Sequence, residues 1–527
     1  MKVLISDHLD ERCAAILRAE QCEVDDRPGL GHAELLNVIG SYDALIVRSA
    51  TTVDAGVIER GTRLKMIGRA GTGVDNIDVE AATRRGILVM NTPGGNTISA
   101  AEHTVSMMLA LARNIPQAHM SLARGEWDRK RFVGTEVFEK TLGVVGLGKI
   151  GREVASRCRA LGMTVLGFDP VLGPEAVSKL GIESVSVDEL VRRSDFITVH
   201  TPLTEETRGL LGEEAFAQCK RGVRIINCAR GGIVDEAALL RALESGQVHG
   251  AALDVFEHEP PKNNPLLAHP HVVATPHLGA STEEAQGKVA LQIAHQLADA
   301  LHGRAYTGVV NGAVMQMTLN EELRPLVRLA ECMGSMSVQL SSGPLRRISV
   351  IAEGDPAAGS LELLKAGVLK GILSHVVPEP VNFISAPHLA AELGLVVAEG
   401  REPPPGQGGS QVKLRFETDA ESHTIKGAVF GASLIRLVGL DGFRFEVNPD
   451  GYCLIYNNLD KPGILAQVSA ILAHHSVNIA GLSLGRTSAG GEALTLMSLD
   501  GPLSKECLAE LSRLADVRRI RLVRFDV

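Results

Sequence analysis

Three polar side chains stand just past apolar runs in the middle of the chain: Arg230 in IINCARGG, Glu259 in DVFEHEPP and His277 in VVATPHLGA. A neutral imidazole takes a proton near pH 7 and gives it back in the reverse direction. A carboxylate beside it fixes the ring's orientation and favours its protonated form. A guanidinium grips a carboxylate with two parallel hydrogen bonds and polarises the carbonyl next to it. Together they suit hydride removal from a hydroxy acid, which leaves a hydroxyl proton for a base. Singly, each has a plainer reading: a strand-end arginine, a glutamate in a proline-rich loop, one histidine among 17.

A second constellation supplies a place for the hydride acceptor. GLGKIG at Gly146–Gly151 directly follows the apolar run TLGVV and opens the helical pattern IGREVASRCRAL, the context a dinucleotide loop requires. Gly146 permits the tight turn, Gly148 lets backbone approach a pyrophosphate, and Gly151 lets helix pack closely on strand. The free N–H groups of the helix start favour an anion. Asp169 closes the next run, where a carboxylate accepts bonds from a ribose diol. No Arg or Lys follows it in PVLGPEAV, so NAD is expected rather than NADP.

The elements that must position these groups come in two series. KVLIS, DALIVRS, LKMIGRAG and GILVMN read as buried parallel strands separated by room for crossover helices. TLGVV, MTVLGFD, DFITVH, VRIIN, GAALDV and HVVATP form a second such series with helical patterns between them. The expectation is an α/β chain with two doubly wound parallel-sheet lobes: a flavodoxin-like substrate lobe over 1–98 and 287–318, and a Rossmann NAD lobe over 99–286. An α+β intervening domain is expected over 319–450, with the insert REPPPGQGGS read as a surface loop. A β-α-β-β-α-β order over 451–527 predicts a ferredoxin-like domain.

Composition narrows the class. The 527 residues suit three or four domains. A net charge of −9 argues against a nucleic-acid partner. No apolar run spans a bilayer, and Asp7 interrupts the first apolar stretch, so neither a membrane partner nor a signal peptide is expected. The eight cysteines are scattered without a C-x-x-C pair, which predicts reduced thiols in the cytoplasm and no metal site.

GLGKIG, NCARGGIVDEAAL, ALDVFEHEPP and TPHLGAST, in this order, resemble the D-isomer-specific 2-hydroxyacid dehydrogenase family. RAGTGVDNID and MNTPGGN match it in the first lobe. The resemblance implies catalytic roles for Arg230, Glu259 and His277. It carries cofactor contacts to Thr72, Lys149, Ile150, Asp169, Thr201, Cys228, Ala229, Asp254 and Gly279. Lys149 stands where the family most often has Arg, and Glu139 where a glycine is usual in a turn. The chain as a whole is similar to the long members that carry an intervening and an ACT domain. That similarity implies oxidation of D-3-phosphoglycerate, feedback by L-serine and a homotetramer. A phosphorylated hydroxy acid needs more than one cation. Arg48 and Arg69 end two first-lobe strands and, with Arg230, are expected at the same cleft. The run Arg129–Arg131 reads as a solvated face. In the ACT-like stretch, Pro462 is expected at the first helical position, and Asn458, Asp460 and Asn478 are the expected effector residues. Dehydrogenases of glyoxylate, hydroxypyruvate or 2-hydroxyglutarate, and a nucleotide-sensing co-regulator on the same fold, remain alternatives.

Overall fold

The computed structural model describes residues 1–354, 359–403 and 411–525. Most of the insert read as a surface loop, residues 404–410, lies outside them. Lys2–Ile5, Ala44–Val47, Met66–Arg69 and Leu88–Asn91 form an all-parallel sheet, with Glu23–Asp26 added at the edge beside Lys2–Ile5. The edge strand, EVDD, escaped the sequence reading because it buries no full face and carries no apolar run. The second sheet is also parallel. Its order runs Val272–Ala274, Val248–Leu253, Val223–Asn227, Phe196–Val199, Thr141–Val145, Thr164–Phe168 and Glu183–Ser184. Chain order reverses at Thr141–Val145, the switch point where such sheets bind ligands.

Two helices link the lobes. Thr97–Ala112 packs its Met107, Met108 and Leu111 into the core under the second sheet. Glu283–Leu301 returns to the first sheet, where a Cβ at Gly68 would meet Ile293 Cγ1 at 2.9 Å. Strand Met66–Arg69 thus carries a glycine where a helix lies against its backbone. Ser99 Oγ and Thr282 Oγ1, one near the start of each linking helix, lie 2.7 Å apart.

The third sheet is mixed. Val396–Glu402 and Arg347–Glu353 pair in parallel, and Gln411–Glu417, Ser422–Phe430, Leu434–Leu440 and Phe443–Val447 continue antiparallel. Helices Arg324–Leu340 and Leu361–Leu373 cover it with apolar faces. The terminal unit has the expected ferredoxin-like order, with strands Gly451–Leu459, Ile479–Arg486, Glu492–Leu499 and Val517–Phe525 and helices Ile464–His474 and Lys505–Leu511. One face of this sheet packs on its own helices. Ile455, Leu494, Val523 and Phe525 on the other face join the core of the six-stranded sheet. The two terminal units therefore share a core. Glu139, at the turn where a glycine is usual, adopts φ 60° and keeps the left-handed conformation with a side chain attached. Among the described residues no helix is long and apolar enough to cross a membrane.

Candidate active site

Strand ends gather the singled-out residues. Arg230 follows Val223–Asn227, Asp254 and Glu259 follow Val248–Leu253, and His277 follows Val272–Ala274. Arg48 and Arg69 stand at the carboxyl ends of Ala44–Val47 and Met66–Arg69, facing them from the first lobe. Arg48, Arg69, Glu259 and His277 line one cavity of about 290 Å3.

His277 Nδ1–H donates to Glu259 Oε2 at 2.7 Å, which leaves Nε2 free of this pair. Glu259 Oε1 accepts from the Phe256 N–H at 3.1 Å, so the carboxylate is held from both sides. Burial works against the Glu259 anion, but the imidazole and the Phe256 N–H outweigh it and hold its pKa below the ordinary carboxylate value. His277 sits at φ 55°, a left-handed conformation that few side chains adopt. Asp254 imposes it. This fully buried carboxylate accepts from Leu278 N at 2.7 Å, Gly279 N at 2.9 Å and Thr275 Oγ1 at 2.6 Å, while its own carbonyl accepts from His277 N at 2.9 Å. His103 Nε2, 3.1 Å away, supplies a further partner from helix Thr97–Ala112. Burial opposes the Asp254 anion, and these donors still lower its pKa.

The arginines are crowded. Arg230 Nε reaches across the cleft to Asp75 Oδ2 at 3.0 Å, and its Nη1 donates to the Ala229 carbonyl at 2.7 Å. A Cβ at Gly73 would lie against the Arg230 guanidinium and displace that arm. Arg69 Nε is buried with no hydrogen-bond partner. Burial, with the neighbouring Arg230 and Arg48, pushes the Arg69 pKa down to about 10 despite Asp75 and Asp7. Arg69 still carries its charge near neutrality, and its surroundings are poor in anions. Arg48 is also pushed down by burial. A bound anion would relieve Arg48 and Arg69.

The dinucleotide loop fits its ligand. Gly146 has φ 92°, and a Cβ there would strike the His200 carbonyl at 2.7 Å. Nothing lies within 4 Å of a Cβ at Gly148, which leaves the helix start open to an approaching phosphate. Asp169 ends its strand with Oδ2 bonded to Leu147 N at 2.8 Å and Oδ1 to Val171 N at 2.9 Å. Thr201 Oγ1 is buried and unpartnered beside the loop, a polar atom that a ligand can satisfy. Ile150 is half-buried at the helix start. Lys149 Nζ crosses the cleft to the Pro93 carbonyl at 3.3 Å. Thr72, in the first lobe, donates to Asn96 Oδ1 at 2.8 Å. A Cβ at Gly151 would overlap the Gly146 carbonyl oxygen. Gly151→Ala is therefore expected to raise the Kd for NADH about 10- to 100-fold, read by NADH fluorescence titration.

Comparison with known proteins bears on the whole chain. Residues 105–279 match the family model described as D-isomer specific 2-hydroxyacid dehydrogenase, NAD binding domain. Residues 322–441 match the D-3-phosphoglycerate dehydrogenase intervening domain, and 454–519 an ACT domain like that of the AHAS small subunit. A D-3-phosphoglycerate dehydrogenase of Synechocystis is 43% identical over 98% of this chain and 93% of its own. That of Homo sapiens is 44% identical over 93% of each chain. The chain belongs to the D-3-phosphoglycerate dehydrogenase family. It is an NAD-dependent oxidoreductase. Among solved structures, a glyoxylate reductase of Paecilomyes thermophila is 33% identical with a TM-score of 0.55, covering 59% of this chain and 98% of its own. That relative matches about three fifths of this chain, whereas the D-3-phosphoglycerate dehydrogenases match nearly all of it.

Several supporting residues were not named from sequence. Asp7 Oδ2 accepts from Arg48 N at 2.6 Å, and Asn76 Nδ2 donates to the Arg48 carbonyl at 2.8 Å, so the two clamp the Arg48 backbone. Asp7 directly follows the strand-like run KVLIS, and that position was its available signal. Asp75 lies in the motif RAGTGVDNID, and His103 gave no signal. His103, Cys228 and Asp254 bring possible ligand atoms within 4.8 Å of one another. Burial keeps the Cys228 thiol protonated, and Asp254 is already occupied by its donors, so hydrogen bonding accounts for their approach. Ala229 N donates to Asn227 Oδ1 at 3.0 Å, which shapes the turn before Arg230.

The expected effector residues do not form one site within the chain. Asp460 Oδ2 accepts from Arg486 Nη1 at 2.8 Å and Gly490 N at 3.2 Å. Asn458 is buried beside it and accepts from Thr495 Oγ1 at 3.0 Å. Asn478 donates to Asp500 Oδ2 at 2.6 Å, at the opposite end of strand Ile479–Arg486. Pro462 is not the first helical residue either. The helix begins at Ile464, and Gly463 at φ 95° turns the chain into it, leaving Pro462 in the turn.

Proposed function

We propose that this chain oxidises D-3-phosphoglycerate to 3-phosphohydroxypyruvate with NAD. The reading rests on one observation above all: Arg48 and Arg69 line one cavity, the Arg230 charge lies close to Arg69, and the buried Nε of Arg69 lacks a partner. A substrate with a carboxylate and a phosphate supplies the missing negative charge. In this reading Arg230 holds the carboxylate and polarises the adjacent C–O bond, while Arg48 and Arg69 receive the phosphate. His277, its Nδ1–H anchored on Glu259, takes the hydroxyl proton at Nε2. NAD accepts the hydride when bound. The imidazolium so formed is stabilised by the Glu259 carboxylate. Reduction returns the proton from the same nitrogen.

The same reading takes L-serine as the effector and a cytoplasmic homotetramer as the working form. Asp460 and Asn478 stand at opposite ends of the edge strand Ile479–Arg486. Antiparallel pairing of two such edges would carry the Asn478 of one copy toward the Asp460 of the other, so serine would bind between copies. Ile115, Met120, Leu122, Trp127, Val133 and Phe138 are each more than half exposed and crowd one stretch of the second lobe. Such an apolar surface favours cover by a second copy. Trp127→Glu is expected to lower the molar mass measured by light scattering; an unchanged mass would assign the contact elsewhere.

The deciding assay follows NADH formation with D-3-phosphoglycerate, D-glycerate and 2-hydroxyglutarate, with and without L-serine. Preference for the phosphorylated acid, with serine lowering the rate, is the expected result. Equal or greater rates on D-glycerate or 2-hydroxyglutarate would overturn the substrate assignment.

A further inference from the structure

The terminal sheet and the six-stranded sheet share a core, but at one margin they part around a cavity of about 320 Å3. Asn457, Glu492, Arg519 and Arg521 line it from the terminal sheet. Glu421, His423 and Asp441 line it from the hairpin region of the other sheet. The second set is rigid. His423 Nδ1 lies 2.6 Å from Asp441 Oδ2, and its Nε2 lies 3.4 Å from Glu421 Oε2. Glu421 Oε1 accepts from Ser342 N at 2.7 Å, and Asp441 Oδ1 from Thr424 N at 2.8 Å.

Among the described residues, the first set has no ion pair of its own. The pairing of Gly451–Leu459 with Val517–Phe525 shifts register between Ile455 and Asn457, which places a bulge in the last strand. Arg519 takes φ 50° in that bulge. The shift returns Val517 to the helix-side core while Arg519 and Arg521 both stay on the cavity. A bulge that re-aims a side chain at a costly backbone angle is a frequent mark of a binding site. Among the described residues, the side chains of Arg519, Glu492 and Asn457 have no hydrogen-bond or ion-pair partner. Arg521 reaches only the Ile520 carbonyl at 3.1 Å and Ser342 Oγ at 3.2 Å. Charges of opposite sign thus face one cleft without neutralising each other.

We propose that this cavity binds a small zwitterionic α-amino acid, its carboxylate on Arg519 and Arg521 and its ammonium on Glu492 and Asn457. The lining selects that chemistry. Three carboxylates repel a phosphorylated or dicarboxylic anion, and two guanidiniums repel a simple amine. A molecule with both charges satisfies each side. Room for about ten waters, at ~30 Å3 each, admits a small amino acid together with ordered water. Occupancy would bridge the last strand to the six-stranded sheet. The site is separate from the substrate cleft, so it does not rest on the dehydrogenase reading; it neighbours the proposed serine residue Asp460, whose N–H donates to the Gly491 carbonyl at 2.8 Å just before Glu492.

The test is isothermal titration of the full-length chain with glycine, L-alanine and L-serine, against L-lactate and ethylamine as counterparts lacking one charge. At least one amino acid is expected to bind with a Kd that rises about tenfold or more in Arg519→Ala and in Glu492→Gln, and that persists in Asp460→Ala. Lactate and ethylamine are expected to bind at least about tenfold more weakly than alanine. Glu492→Gln is nearly isosteric and keeps the fold as judged by thermal melting, so its result stands if Arg519→Ala misfolds. Absence of binding by all three amino acids, binding unchanged in Glu492→Gln, or lactate binding as tightly as alanine would each overturn the proposal.

Discussion

Replacing His277 with alanine is expected to lower turnover by about 10²–10⁴ while leaving NAD affinity nearly unchanged. The size follows from what a positioned base contributes to proton transfer. The selectivity follows from geometry, because His277 stands after strand Val272–Ala274, whereas the dinucleotide loop follows Thr141–Val145. The fold tolerates the change. The backbone at 277 is held by the Asp254 carbonyl and the next two N–H groups by the Asp254 carboxylate, none of which uses the imidazole. The left-handed φ of 55° is the one complication, since alanine bears it less well than a short polar side chain. His277→Asn removes the base and keeps a residue suited to that angle, so both variants should fall together. Glu259→Gln should fall less, about tenfold, because the amide oxygen still accepts from Nδ1–H but supplies no charge. Steady-state NADH formation and NADH fluorescence titration separate the two effects. Turnover unchanged in both His277 variants would remove His277 from the reaction.

The parts of this site legible in the sequence are those whose type and place are set by the strands. Arg230, Glu259 and His277 each follow an apolar run, and parallel sheets present the carboxyl ends of such runs to one cleft. The glycine loop was legible through the strand before it and the helix after it. What stayed hidden depends on tertiary approach. His103 lies in a helical stretch with no pattern to single it out, and Asp75 lies in the motif RAGTGVDNID without a role assigned to it, yet one pairs with Asp254 and the other with Arg230. The edge strand Glu23–Asp26 has no buried face to produce a hydrophobic signal. Asn458, Asp460 and Asn478 are grouped by the resemblance to ACT domains, but Asp460 and Asn478 stand at opposite ends of one strand, which separates them by its length. The shared core of the terminal units was equally invisible, since alternating apolar residues on both faces of Gly451–Leu459 do not say which neighbour each face meets.

The arginine cluster carries the second large effect. Arg48→Ala and Arg69→Met are each expected to lower kcat/KM for D-3-phosphoglycerate by about 10²–10³, with D-glycerate affected no more than about threefold. Truncating Arg48 leaves its loop in place, because Asp7 holds its N–H and Asn76 its carbonyl. Arg69 offers a sharper criterion. In the free chain its guanidinium is half-buried, faces Arg230 and Arg48, and has an Nε without a partner. A buried charge so poorly compensated opposes folding. Methionine of similar length removes that cost and keeps the packing, so the melting temperature of Arg69→Met should stay level or rise while activity on the phosphorylated acid collapses. A structural arginine would show the reverse, with stability and activity on both substrates falling together. Opposite signs in one variant would mean that the fold tolerates the crowded cations for the sake of a multiply charged substrate.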